Sequence, residues 1–116
     1  MKNLPILWWL IVAHATVDFA LQGDTMAREK SRHSKTALQI AVPWYYWLTA
    51  HSLMHGGAVT LITQSIWLGL AETACHWFLD FAKCEGWIGI TQDQLAHIVC
   101  KTWWLAAFAT ISTTNQ

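Results

Sequence analysis

Apolar residues run through the chain in four long stretches, Leu4 to Leu21, Trp44 to Thr63, Ile66 to Ala82 and Asp93 to Thr110, separated by polar or glycine-bearing segments. Each is roughly 17–20 residues, the length at which a helix rising 1.5 Å per residue crosses a hydrocarbon core. Apart from a few polar positions each is apolar on every side, unlike the one-sided stripe of a surface helix. The pattern predicts an all-α fold: one domain over residues 1–116, a polytopic membrane protein built as a bundle of four transmembrane helices. Residues 22–43 form the one long polar connection, and a short amphipathic helix is expected inside it. Gln64 and Ser65 predict a tight turn. The third connection, Lys83 to Gln92, is short, and its Gly86 and Gly89 interrupt helical propensity.

Inside the stretches, polar residues fall in pairs four apart: His14 and Asp18, His51 and His55, His76 and Asp80, Asp93 and His97. That spacing puts both members of a pair on one helical face, a turn apart. Counted from the ends that meet the first and third connections, His14 and His51 lie about seven residues in, His76 about six and His97 about four, or roughly 6–11 Å. Helices of alternating direction therefore bring their imidazoles to one depth. An ionisable side chain inside a bilayer is costly and is kept when paired or functional. The eight residues of the four pairs are candidate ligands of a divalent transition metal, because imidazole and carboxylate suit zinc first and manganese, iron or nickel as alternatives. They exceed the needs of one tetrahedral zinc. One or two ions are expected, with Asp18, Asp80 and Asp93 as ligands, as orienting partners of the imidazoles, or as a catalytic base. The other reading of the same residues is a metal-free hydrogen-bond network that glues the helices together.

Composition agrees with the pattern. Of 116 residues, 12% are charged, about half the usual share. Hydrophobic residues make up 54%, nine residues are Trp, and net charge is zero with His neutral, so no nucleic-acid partner is expected. Cys75, Cys84 and Cys100 form neither a CxxC pair nor an even disulfide set. A cleavable signal peptide is not expected, since only Lys2 precedes the first apolar stretch and a poor cleavage site follows it. Arg28, Lys30, Arg32 and Lys35 lie in the first connection and Lys83 in the third, against Lys2 on the opposite side and Lys101 inside a helix. The positive-inside rule then places both connections in the cytoplasm and both termini outside, in a prokaryotic cytoplasmic membrane. Trp44, Tyr45, Tyr46, Trp47 and Trp87 at one end, and Trp67 at the other, fit interfacial belts. The alternative, a soluble helical bundle, leaves a Trp-rich chain of 13.2 kDa little surface to wet.

Glu72 lies one turn before His76 and Lys101 one turn after His97, so both extend the polar stripe, as an intramembrane ion pair or as substrate contacts. Gly56 and Gly57 are expected to allow close helix packing. Cys100 reads as a packing residue and His33 as solvated. Gln22, at the mouth of the first helix, is a candidate substrate contact. No Gly-rich phosphate loop and no Ser-His-Asp order is present.

The segments HATVDFALQ, HSLMHGG, CHWFLDFAK and DQLAHIV, in this order, resemble the family of small bacterial and phage membrane proteins called domain of unknown function 3307. The resemblance covers nearly the whole chain and carries over His14, Asp18, Gln22, His51, His76, Asp80, Asp93, Gln94 and His97, with His55 a looser fit. It implies Gln94 as a further substrate contact. The many Trp residues and the short connections depart from the family pattern. In layout the family is similar to groups labelled membrane-bound metal-dependent hydrolases, which implies hydrolysis of a phosphoester or of another bond in a lipid-linked substrate. Two non-catalytic readings stand beside it. One is a metal-binding or metal-passing protein, or a haem binder with two opposed His, though the crowd of Asp argues against haem. The other is a structural or regulatory membrane protein, phage-encoded, whose polar core sets helix packing. Ala106, Ala107 and Ala109 offer a small-residue face for a homo-oligomer.

Overall fold

The computed structural model describes residues 3–115, which are mostly helical and contain no strand. Its elements are α1 (Leu4–Ala15), continued by a π-helical turn (Thr16–Ala20), then α2 (Asp24–Glu29), α3 (Leu38–Ala41), α4 (Trp44–Thr63), α5 (Ile66–Cys84) and α6 (Ile90–Thr114).

Pro5 sits in the first turn of α1, where a missing N–H breaks no helical bond. The first stretch is not one α-helix, as its apolar pattern predicts. The Leu21 amide reaches back five residues to the Thr16 carbonyl at 2.9 Å, the wide bond of a π turn. Pro43 opens α4, and Gln64 closes it with a left-handed φ of 56°, its amide 2.8 Å from the Thr60 carbonyl. Ser65 then caps α5 by accepting the Leu68 amide at 3.3 Å. The turn predicted at Gln64 and Ser65 is thus the hinge of an antiparallel α4–α5 hairpin.

That hairpin is tight. A Cβ built on Gly56 would lie 2.6 Å from the Gly69 carbonyl oxygen and against Thr73, and one on Gly69 would lie 2.7 Å from the Gly56 carbonyl oxygen and against Thr60. Gly57 faces open space, so of the two glycines predicted to permit close packing only Gly56 does so.

α5 runs past Ala82 to Cys84 and stops before Gly86, whose φ is +79°. α6 begins at Ile90 rather than Asp93, because the Gln92 side chain accepts the Gly89 amide at 2.9 Å and caps the first turn. The polar connection holds two short helices, α2 and α3, instead of one. Thr36 donates to Glu29 Oε2 at 2.5 Å and Gln39 donates to the Glu29 carbonyl at 2.9 Å, folding the connection on itself. The Thr36 hydroxyl and the Arg28 guanidinium hold the Glu29 carboxyl below its usual range. Arg32 reaches both Glu85 oxygens, at 2.5 and 2.8 Å, and His33 Nε2 lies 3.0 Å from Glu85 Oε2, so the first and third connections meet at one end of the bundle. Lys2, counted toward the other end, lies outside the described residues.

The distribution of polarity is the reverse of a water-soluble core. Among the described residues, buried polar and charged side chains outnumber buried hydrophobic ones more than two to one. Leu10, Val59 and Leu68 form a small apolar cluster toward the termini. Trp8, Trp9, Leu53, Leu61, Trp67, Phe78 and Trp103 lie exposed on the outside, Trp67 at 76%. Among the described residues α6 is the one helix long and apolar enough to cross a membrane, and the apolar run Leu4–Ala20 is shorter.

Candidate metal centre

The four long helices each turn their polar pair inward, and the imidazoles meet at the level of the π turn. His14 and Asp18 come from α1 and its π turn, His51 and His55 from α4, His76 and Asp80 from α5, Asp93 and His97 from α6. All eight are buried, none above 5% exposed. Neighbouring rings lie 3.6 Å apart for His55 and His76, 4.2 Å for His76 and His97, and 5.0 Å for His14 and His97, centroid to centroid.

Asp18 is the hub. Its Oδ1 lies 3.1 Å from the Nε2 atoms of both His51 and His55 and 3.7 Å from His76 Nε2. Its Oδ2 accepts the Gln94 side-chain amide at 2.7 Å and lies 3.5 Å from His14 Nε2. Gln94 Oε1 is in turn 2.9 Å from His14 Nε2. Gln94 therefore bridges His14 and Asp18, and its donors and acceptor face the site. Ligand atoms from Asp18, His51, His55 and His76 lie within 4.8 Å of one another, and so do those from His14, His76 and His97. Around a zinc with bonds of about 2.0–2.1 Å, tetrahedral ligand atoms stand about 3.3 Å apart, a contraction that small rotamer adjustments supply.

Proton accounting shows why protein groups alone satisfy this cluster poorly. A neutral imidazole carries one N–H. If His51, His55 and His76 all point a donor at one carboxylate oxygen, their Nδ1 atoms need donors in return. Nδ1 of His14, His51 and His76 has no hydrogen-bond partner, and neither does Nε2 of His76 or of His97. Buried polar atoms left unpaired are costly. A divalent cation turns such nitrogens from orphans into ligands, and the donor set, imidazole with carboxylate, is one that zinc and its neighbours take.

Asp80 and Asp93, expected among the ligands, stand at the rim and outside both converging sets. Lys30 Nζ lies 2.6 Å from Asp80 Oδ2 and Lys83 Nζ 2.9 Å from Asp80 Oδ1. Lys83 also reaches Asp93 Oδ2 at 3.3 Å, and Asp93 Oδ1 is 3.1 Å from His97 Nε2. Asp80 Oδ2 keeps contact with the cluster, 3.7 Å from His51 Nε2. Gln22 stands at this mouth, accepting from Lys30 through Oε1 and donating to the Asp18 carbonyl at 3.3 Å. Sequence reasoning missed both lysines. The Asp80-x-x-Lys83 spacing on one helix was a usable signal for the second; Lys30 had none, because its polar connection reads as solvated.

At the inner end Glu72 accepts from Lys101 and from the Trp104 indole, and its Oε1 lies 3.7 Å from His76 Nδ1. The pair is an ion pair in the interior that also faces His76. Cys100 turns away from the cluster toward an apolar groove of about 440 Å³ between α5 and α6, lined by Cys75, Phe78 and Trp103 among others. His33 lies exposed at the surface against Glu85.

Fold and site together define an all-helical protein whose interior is a buried His/Asp cluster with the donors to hold a metal ion. The chain belongs to the family described as "Protein of unknown function (DUF3307)", whose model matches residues 6–116. No curated protein and no solved structure matches it.

Proposed function

We propose that this is an integral membrane protein that holds a divalent transition metal between its four long helices near the cytoplasmic side, and that it is a metal-dependent hydrolase of a phosphoester or another bond in a lipid-linked substrate. The observation that carries the reading is the convergence of five imidazoles and Asp18 in a buried interior, with ring nitrogens unpaired, beneath an apolar exterior.

Several features support the membrane setting. α4 and α5, of 20 and 19 residues, are each about 30 Å long, the thickness of a hydrocarbon core. A helix that turns a polar pair into a shared interior needs apolar residues only on its other faces. The basic residues of the joined first and third connections favour the cytoplasm for that end, and the outside for both termini. The zone beyond the cluster toward the termini, around Leu10, Val59 and Leu68, is apolar, which disfavours a transport path through the bundle.

Bound here, the ion would lower the pKa of a water and polarise the scissile group. Asp18 and the imidazoles would hold it. Gln94 fixes His14 and Asp18 relative to each other, and Glu72 orients His76. Asp80 and Asp93, at the rim and in contact with His51 and His97, are placed to take or return a proton at the mouth. A second reading, a polar core that only sets helix packing, is favoured by the ion pairs of Glu72 with Lys101 and of Asp80 with both lysines, which need no metal.

The test is metal content per chain by elemental mass spectrometry, on protein purified in detergent without added metals. Wild type is expected to carry one or two equivalents of a transition metal. His51→Ala, His76→Ala and Asp18→Asn are expected to lose it while keeping wild-type helicity. Wild-type protein with no bound metal, and no uptake on addition of zinc, manganese, iron or nickel, leaves the packing network as the better account.

A further inference from the structure

The inference rests on the metal reading above and concerns the ligand that stands beside the ion. Lys30 is only 2% exposed although its connection is the most polar segment of the chain. It enters at the end of α2, and its ammonium and that of Lys83 flank the two oxygens of one carboxylate, Asp80. Asp80 Oδ2 lies 3.7 Å from His51 Nε2 and 4.0 Å from His76 Nε2. The two ammoniums therefore stand one carboxylate's width from the metal ligands. The Lys83 side chain is 23% exposed, so this end of the site communicates with the surface. The other end is closed by Glu72, Lys101 and Trp104.

Charge decides what the site lacks. Asp18, Asp80 and Asp93 against Lys30 and Lys83 leave one negative charge, and Glu72 cancels Lys101. Metal ligation requires neutral imidazoles. One divalent ion converts that single negative charge into a single positive one, and a second ion would add more. An unbalanced charge in a buried site calls for a counter-charge. Two ammoniums carry six N–H donors between them, while Asp80 has only two oxygens to accept them. An oxyanion with several oxygens meets both needs.

We propose that the metal-loaded centre binds a phosphate group, of a free phosphate ester or of a lipid headgroup, between Lys30 and Lys83 with one oxygen toward the metal. Lys30 and Lys83 are then substrate-binding residues supplied by the two segments that frame the mouth.

The experiment titrates cobalt(II)-loaded protein in neutral detergent with inorganic phosphate, following the cobalt absorption bands and the heat of binding. Saturable binding of one phosphate per site is expected in the loaded protein and not in the metal-free protein. Lys30→Gln and Lys83→Gln are each expected to weaken it about tenfold or more, the loss of a charge-assisted hydrogen bond, with cobalt content unchanged. Lys35→Gln, an exposed lysine of the same connection, is expected to leave it as in wild type. A second arm adds phosphatidic acid to the micelles. Displacement of inorganic phosphate by the lipid supports a headgroup site, and phosphate binding indifferent to the lipid supports a soluble ester. Cobalt-loaded wild type that binds neither probe, or lysine variants that bind as wild type does, overturns the proposal while leaving the metal site intact. Failure to load cobalt or zinc at all overturns the metal reading and this proposal with it, and the metal measurement records that case separately.

Discussion

Replacing Gly56 with alanine tests whether the α4–α5 contact sets the geometry of the cluster. The added methyl would lie 2.6 Å from the Gly69 carbonyl oxygen, well inside van der Waals contact, and against the Thr73 side chain. The obstructing carbonyl is backbone and cannot rotate aside, so the two helices must separate. Overpacking of this kind costs about 1–3 kcal/mol, and a backbone obstacle places it in the upper half of that range. Alanine also gains up to about 1 kcal/mol over glycine in a helix interior. Gly57→Ala measures that gain alone, because nothing lies within 4 Å of its added methyl. The two variants should therefore differ by about 2–3 kcal/mol, with Gly57→Ala at or above wild type and Gly56→Ala below it. The assay is equilibrium unfolding in mixed micelles of increasing SDS fraction, followed by circular dichroism and Trp fluorescence. His55 neighbours Gly56, and His76 lies on the opposing helix, so separation should also lower metal content in Gly56→Ala and not in Gly57→Ala. Equal stability of the two variants would refute the close-contact argument.

The remaining expectations concern charges. Lys101→Met strands the buried Glu72 carboxylate with only the Trp104 indole, and should destabilise the fold by about 3–5 kcal/mol, while adding Glu72→Gln should recover most of that loss; a Lys101→Met protein as stable as wild type would show that the pair contributes nothing. At the surface, hydrogen bonds from Arg32 and His33 pull the Glu85 carboxyl down to about 2 from an ordinary 4.5. A depressed carboxylate stabilises the fold above the unfolded value and loses that stabilisation as pH falls through the folded one. The Tm advantage of wild type over Glu85→Gln should thus be full at pH 5.5 and fade between about pH 4.5 and pH 2, and an advantage that stays constant over that window would rule the linkage out.

Much of the site was legible because a helix repeats nearly every fourth residue. His14 with Asp18, His51 with His55, His76 with Asp80 and Asp93 with His97 announce one inward face per helix before any packing is known. Their common depth also followed from counting along the chain. What was not legible depends on contacts between distant segments. Lys30 lies in a stretch whose polarity is that of a solvated loop, and only the folding of α2 against α4 carries it to Asp80, fifty residues on. The demotion of Asp80 and Asp93 to the rim follows from those lysines. Gly56 and Gly57 are adjacent and chemically identical, and nothing local says which one meets α5. The start of α6 at Ile90 turned on Gln92 folding back to the Gly89 amide, which the apolar count passes over.

The π turn of Thr16–Ala20 has a consequence for changes of chain length. A π turn is an α-helix that has absorbed one extra residue, so its five-residue bond from Leu21 to Thr16 marks a place where the chain is one position longer than regular winding needs. Removing a residue there, such as the exposed Phe19, would restore an ordinary helix without touching any ligand. It would also swing all that follows by about 100°, carrying Gln22 and the start of the connection off the mouth. The first helix is therefore phased by a count: a deletion that spares every polar side chain would still dismantle the cluster, and an insertion and a deletion flanking the turn should cancel.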